Sequence, residues 1–177
     1  MFDKILAALD IEENYRPVFE RSLLLAQATG AQLHLLRVIH CDSEAIQPLV
    51  TYPGIGSYPL AAGDVLWSEY QQNYNQLEEA GTQVLSALVR EAEARGTQTE
   101  FLQQAGEAGR VICDRAKAIE ADLIIVGSHG RRGLDELLMG SVSSYVMHRA
   151  PCSVMVVHDK SMRDAAGTQN SVAHSKV

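Results

Sequence analysis

The chain has few cysteines and no long apolar run. Its three cysteines, Cys41, Cys113 and Cys152, are widely spaced and form no Cys-x-x-Cys pair, so neither a disulfide framework nor a zinc site is expected. Thiols used in this way are typical of a reducing compartment, and we predict a cytoplasmic protein. No apolar stretch approaches the ~18 residues of a membrane span, and the opening "MFDKILAALD" carries charges and lacks a cleavage site. We therefore expect neither a membrane span nor a signal peptide.

Positive charge is also scarce. The 22 acidic residues outnumber the 15 basic ones and give a formal net charge of −7. Proteins that bind nucleic acids or anionic membranes usually carry a basic face. The composition therefore argues against a nucleic acid or a membrane as a partner, but it leaves room for one local positive site for a small anion.

Several signatures of ATP chemistry are missing. The chain has no Gly-x-x-x-x-Gly-Lys-Ser/Thr and no Gly-x-Gly-x-x-Gly after its first strand, which excludes a P-loop and a dinucleotide fingerprint. The pyrophosphatase-type Ser-Gly-Gly-x-Asp-Ser and the synthetase His-Ile-Gly-His are absent too. Phosphoryl transfer needs positioned cations and a group that orients the nucleophile, and no such set stands out. We predict no catalytic residues, and enzymatic activity stays an open alternative.

What the sequence does contain is a regular alternation of two hydrophobic periods. Segments with helical spacing separate five short segments that predict strands, of which four are apolar and one (97–104) is more polar; they lie at 4–10, 31–40, 97–104, 122–127 and 152–159. Such alternation predicts an α/β fold with a single open five-stranded parallel sheet and helices on both faces. The polar third strand is expected at an edge and the apolar fourth strand in the centre. Ligands of such sheets bind beyond the carboxyl ends of the strands, where the strand order reverses.

A glycine-rich segment follows the predicted fourth strand. The segment "VGSHGRRGLDELLMGSV" (126–142) leads into the last predicted helix. Glycine lets a ligand approach the backbone closely, and the free N–H groups of a helix N-terminus attract an anion. Ser141 adds a hydroxyl there, and Arg131 and Arg132 add positive charge. The pattern favours a phosphate site, while a tight loop with a helix cap is the plainer alternative.

The spacing of these glycines resembles the nucleotide-binding signature of the universal stress protein family. The pattern is Gly127-x-x-Gly130, then nine residues, then Gly140-Ser141. The stretches "DLIIVGSHGRRGLDELLMGSVSSYVMHRAPCSVMVV" and "FDKILAALD" are similar to that family almost throughout. The resemblance covers residues 1–158 except 41–63, and it implies a Rossmann-like domain of the adenine nucleotide alpha hydrolase type. It also implies the ATP-binding subgroup, because the other subgroup lacks the glycines.

The resemblance implies a role for each matching residue. Asp10 and the backbone near Ala8 would meet the ribose and adenine side, and the backbone of Val38 would recognise the adenine edge. Gly127 would approach the ribose. Gly130, Gly140, Ser141, Val142 and Ser143 would hold the phosphates. The other residues expected to contact the nucleotide are Ser128, His129, Arg131, Arg132 and Gly133. Ala8 stands where ATP-binding relatives often have proline, and a contact through its carbonyl should survive that change.

Metal ligands from the protein itself are not expected. His129 has no second histidine, cysteine or carboxylate at ligand spacing. A Mg²⁺ or Mn²⁺ ion is expected on the phosphates of the bound ATP, ADP or AMP. Plainer interpretations make Asp10 a solvated strand end and Arg131 and Arg132 a solvated surface.

Three functions are compatible with these features. We favour a stress-response sensor that binds an adenine nucleotide and changes its shape or its protein partner. The alternatives are a slow ATPase or phosphotransferase, and a structural dimer with a vestigial pocket. The family resemblance implies a homodimer through the last strand (152–158), whose apolar edge needs cover.

Two further segments carry separate hypotheses. The segment 41–63 combines tyrosines with glycines and prolines, which predicts a long loop before a helix at about 64–95. We expect this loop to be a lid or an interface that orders when nucleotide binds. The polar tail 159–177 has no periodicity and is expected to be disordered.

Overall fold

The computed structural model describes residues 1–40, 60–128 and 139–158. Strands and helices alternate along these residues, as the two hydrophobic periods predict. The elements are β1 (Lys4–Ala8), α1 (Arg16–Thr29), β2 (Gln32–Ile39), α2 (Leu60–Ala94), β3 (Thr99–Ala105), α3 (Ala108–Ile119), β4 (Leu123–Gly127), α4 (Ser141–Arg149) and β5 (Ser153–Val157).

The five strands form one parallel sheet in the order β3-β2-β1-β4-β5. The chain moves outward from β1 to β3 on one side and then crosses to β4 and β5 on the other. The strand order therefore reverses between β1 and β4, and this is where open parallel sheets bind their ligands. The third strand lies at an edge of the sheet, as predicted, and the fourth is an interior strand between β1 and β5.

Each face of the sheet is covered by two helices. On one face α1 and α2 pack on alternate strand residues such as Ile5, Leu35 and Ile125. On the other face α3 and α4 pack on the intervening residues, such as Leu6 and Ile124. The helices contribute their apolar stripes, so both faces of the central strands are dry, as expected for a parallel sheet.

The helix α2 begins earlier than predicted. The prediction placed its start at residue 64 and gave 41–63 to a loop, whereas the helix spans Leu60–Ala94. Ala61 and Ala62 have strong helix propensity, and their proximity to the prolines and glycines of the preceding segment hid this signal. The rest of the predicted loop, 41–59, lies outside the described residues, and so does the tail 159–177.

No helix among the described residues is long and apolar enough to cross a membrane.

Candidate functional site

The carboxyl ends of three strands meet at the point where the strand order reverses. Ala8 of β1 pairs in register with Leu36 of β2, and Ala7 pairs with Ile125 of β4. The pairing with β2 continues one step further, because the Leu9 N–H donates to the Leu36 carbonyl over 2.8 Å. Continuing these registers brings Asp10, Val38 and Gly127 to the same edge of the sheet. The three segments that the sequence assigns to one site are therefore neighbours.

Asp10 opens a tight turn between β1 and α1. Its Oδ1 accepts the Glu12 N–H over 3.2 Å, and its carbonyl accepts the Glu13 N–H over 3.1 Å. The Asp10 residue itself is exposed at the edge of the sheet. The turn thus fixes the direction of the carboxylate through the following backbone while leaving it open to a ligand.

A clamp of main-chain hydrogen bonds joins the end of β4 to the start of α4. The Ser128 N–H donates to the Val157 carbonyl over 2.9 Å, and the Ser128 carbonyl accepts the Gly140 N–H over 2.8 Å. The Ser143 hydroxyl donates to the Gly140 carbonyl over 2.9 Å, which braces the same corner from inside the first helical turn. Ser128 and Gly140 are therefore held side by side at the carboxyl end of β4.

The N-terminus of α4 is capped by a residue without a side chain. Gly140 is the cap, and no side chain satisfies the first N–H groups of the helix. These N–H groups, from Ser141 to Ser143, have no carbonyl partner within the helix by its geometry. Ser141 and Val142 are exposed, so the positive end of the helix dipole faces outward, and an anion is stabilised there.

The predicted site residues fall into two groups. One group lies along this edge, within the described residues. It consists of Ala8, Asp10, Val38, Gly127, Ser128, Gly140, Ser141, Val142 and Ser143. His129, Gly130, Arg131, Arg132 and Gly133 lie outside the described residues. The Ser143 side chain is buried and its hydroxyl is directed inward to Gly140. A phosphate contact from Ser143 would therefore come from its backbone N–H.

Arg37 is a residue of this region that the motif analysis did not select. It is only 3 % exposed, on the face of β2 that packs against α1 and α2. Burial lowers the pKa of Arg37 from its ordinary value, while the negative charge of Asp10 acts in the opposite direction. The sequence feature that could have identified Arg37 is its position as a charged residue inside the apolar strand "LLRVI". A buried charge is costly unless it is paired, so such a residue is expected to have partners.

A resident metal site is not apparent in the described part of the chain. Residues 1–40, 60–128 and 139–158 hold no group of three histidine, cysteine, aspartate or glutamate side chains that would ligate an ion.

Comparison with known proteins identifies the family. The sequence profile of the universal stress protein family matches residues 1–158. The chain is 35% identical to universal stress protein Sll1388 of Synechocystis over 157 residues, which is 88% of this chain and 97% of that protein. The chain therefore belongs to the universal stress protein family.

Solved structures show the same Rossmann-like fold. The structure of protein MJ0577 superposes with a TM-score of 0.67 at 25% identity, covering 90% of this chain and 98% of that one. A universal stress protein family member from Arabidopsis thaliana, solved with AMP bound, superposes with a TM-score of 0.56 at 18% identity, covering 91% and 94%. The latter likeness concerns the fold alone.

Proposed function

We propose that this protein is a sensor that binds an adenine nucleotide between the ends of β1 and β4 and reports its occupancy in a stress response. The observation that carries this proposal is the glycine-capped start of α4. Its first N–H groups have no side-chain cap, and the Ser128–Gly140 hydrogen bond holds them beside the end of β4. Main-chain N–H groups at a helix N-terminus fit a phosphate in both charge and geometry.

The two sides of the site would hold different parts of the ligand. Asp10 and the backbone of Ala8 are proposed to meet the ribose and adenine side, and the backbone of Val38 the adenine edge. The phosphates would lie against Gly140 and the first turn of α4. A Mg²⁺ or Mn²⁺ ion is proposed on the phosphates, since the described residues offer no ligand cluster of their own. The AMP bound to the plant neighbour supports the choice of an adenine nucleotide.

The test of this site is substitution of Gly130. A β-branched side chain there should block the approach of the phosphates, so Gly130→Val is expected to abolish a binding event in the micromolar range, about −8 kcal/mol. Titration calorimetry with ATP, ADP and AMP measures this directly. Gln98→Val is the matched control, because it introduces the same side chain at an exposed position. Gln98 directly precedes β3 and so lies at the amino ends of the strands, away from the site. Unchanged affinity in Gly130→Val would remove the site assignment.

A phosphate-release assay and the same binding titrations separate the alternative functions. Steady phosphate release from ATP by the wild-type protein would favour a slow ATPase. Failure of all three nucleotides to bind at millimolar concentration would favour a structural dimer with a vestigial pocket. A sensor is expected to bind nucleotide while releasing only traces of phosphate.

We further propose a homodimer through residues 152–158. The strand β5 is at the edge of the sheet, and Val154, Met155 and Val156 stay partly exposed although they pack toward both cores. An apolar edge strand of this kind is a template for a second strand. Sedimentation should show a dimer at micromolar concentration in the wild-type protein and a monomer in Val156→Lys. The control is Gln104→Lys on β3, the opposite edge, and a wild-type monomer would refute the proposal.

A further inference from the structure

Arg37 lies between the nucleotide edge and the helix α2. Its guanidinium is enclosed, and a buried charge must be paired or fully hydrogen-bonded to be tolerated. Nη1 donates to the Leu77 carbonyl over 2.6 Å and to Gln103 Oε1 over 2.8 Å, while Nη2 donates to Glu12 Oε1 over 3.3 Å. One side chain therefore bridges α2, β3 and the turn that follows β1.

The bridge ends on the turn that carries Asp10. Glu12, which receives Nη2, also donates its N–H to Asp10 Oδ1 over 3.2 Å. The residue before Arg37 holds the same turn, since the Leu36 carbonyl accepts the Leu9 N–H. Two successive residues of β2 thus fix the chain on both sides of Asp10, one through the backbone and one through the guanidinium.

The other end of the bridge is built into the packing of α2. Gln103 accepts from Arg37 and donates its Nε2 to the Glu78 carbonyl over 2.9 Å and to Thr82 Oγ1 over 2.8 Å. A Cβ atom at Gly81 would overlap both Gln103 Oε1 and Arg37 Nη1. Helix α2 can pack directly against these polar side chains because Gly81 has no side chain.

We infer that Arg37 is a positioning residue of the nucleotide site, which sets the Asp10 turn from the α2 side of the sheet and is required for Asp10 to select the ribose hydroxyls. This inference rests on the proposed nucleotide site. It adds a residue outside the glycine signature, and it ties the ribose side of the ligand to α2.

The experiment compares two nucleotides on Arg37→Met. Methionine keeps the apolar stem but removes the charge and the donors that reach Glu12, Leu77 and Gln103. The affinity for ATP is expected to fall about tenfold, the loss expected when a charged hydrogen bond is removed. The affinity for 2′,3′-dideoxy-ATP should change less than about twofold, because that ligand has no ribose hydroxyls for Asp10 to hold. Equal loss for both nucleotides would overturn the inference, since a general loosening of the fold does not distinguish them.

The control is Arg95→Met. Arg95 directly follows the end of α2 and binds Glu20 of α1 over 3.0 Å, and its side chain is more exposed than that of Arg37. Both nucleotides should bind it as they bind the wild-type protein.

A measurement without nucleotide separates this inference from the proposed function. Hydrogen exchange of the Glu12 and Glu13 amides, which donate to Asp10, should accelerate in free Arg37→Met and not in Arg95→Met. Unchanged exchange overturns the positioning role even if ATP binds. Accelerated exchange in a protein that binds no nucleotide supports the role in holding the turn and refutes the ribose selection together with the proposed function.

A second variant covers the case in which Arg37→Met does not fold. Glu12→Gln keeps the size of a half-exposed side chain and weakens only the last link of the bridge. The affinity for ATP relative to that for dideoxy-ATP should fall, as in Arg37→Met, but only by about threefold. The effect is smaller because only the charge of the Glu12 carboxylate is removed. An unchanged ratio would overturn the inference.

Discussion

The ends of β1 and β4, which flank the reversal of strand order, are held in place by different means. The turn after β1 is fixed by charged side chains, with Arg37 donating to Glu12 and Asp10 accepting from the Glu12 amide. The end of β4 is instead joined to the start of α4 by main chain and hydroxyl, through Ser128, Gly140 and Ser143. A side-chain network presents one carboxylate in a set direction, which suits a hydroxyl ligand. A bare main chain presents several N–H groups at close range, which suits a phosphate.

The largest effect on ATP affinity in this comparison is expected when a methyl group is added at Gly140, at the start of α4. Gly140 has φ −57 and ψ 153, a conformation open to any residue, so Gly140→Ala is unstrained and should lower the free energy of unfolding by only about 0.5–1 kcal/mol, because alanine is a poorer N-cap than glycine. Its Cβ would nevertheless stand where a phosphate approaches the backbone, and the affinity for ATP should fall at least about tenfold. Calorimetry and urea unfolding of the same sample measure both quantities.

Gly30→Ala is the reverse control for this prediction. Gly30 ends α1 with φ 75 and has open space around it, so only the backbone conformation resists a side chain. The variant should lose about 1–2 kcal/mol of stability and bind ATP normally. If Gly140→Ala were destabilised like Gly30→Ala and bound ATP like the wild-type protein, the phosphate site would not be at Gly140.

A smaller effect should separate the two serines of the same helical turn. The buried Ser143 hydroxyl donates to the Gly140 carbonyl over 2.9 Å, so Ser143→Ala should cost about 1 kcal/mol of stability. Ser141 is exposed at the first helical position, so Ser141→Ala should leave the stability unchanged and reduce ATP affinity about threefold. Urea unfolding and calorimetry on both variants check this. A larger affinity loss in Ser143→Ala than in Ser141→Ala would contradict the division of roles.

The sequence predicts the fold better than it predicts these contacts. Hydrophobic period identifies all five strands, and the polar third strand and the apolar fourth strand indicate their places in the sheet. The start of α2 was placed four residues late, at 64 instead of 60, because glycines and prolines in the preceding segment dominate the local signal. The spacing of Gly127, Gly130 and Gly140 predicts a phosphate site at the end of β4, and this stays a prediction.

The side-chain contacts of the site are harder to predict from a sequence pattern. The role of Arg37 depends on a carbonyl of α2 that is 40 residues away along the chain, and no local period records that contact. The inward direction of the Ser143 hydroxyl likewise follows from how α4 meets β4. Contacts of this kind arise from tertiary packing, so they appear only when the elements are assembled.

The smallest predicted effect lies on the opposite face of β2 from Arg37. His34 is buried, its Nδ1 lies 2.8 Å from Glu100 Oε1, and its Nε2 has no hydrogen-bond partner in the described part of the chain. Burial lowers the pKa of His34 below its ordinary 6.5, and Arg115 and Lys4 add to this, against the raising effect of Glu100. The unfolded chain therefore binds this proton more tightly than the folded one.

Its stabilising contribution should be complete above about pH 6.5 and should be lost as the pH falls through the lower folded-state pKa. The urea midpoint of the wild-type protein should accordingly fall between about pH 7.5 and pH 5.5 by more than that of His34→Gln, which cannot take up the proton. Arg37, whose guanidinium keeps its charge throughout this range, should add nothing to the difference. A wild-type protein and a His34→Gln variant with the same pH dependence would show that the Glu100 pairing cancels the cost of burial.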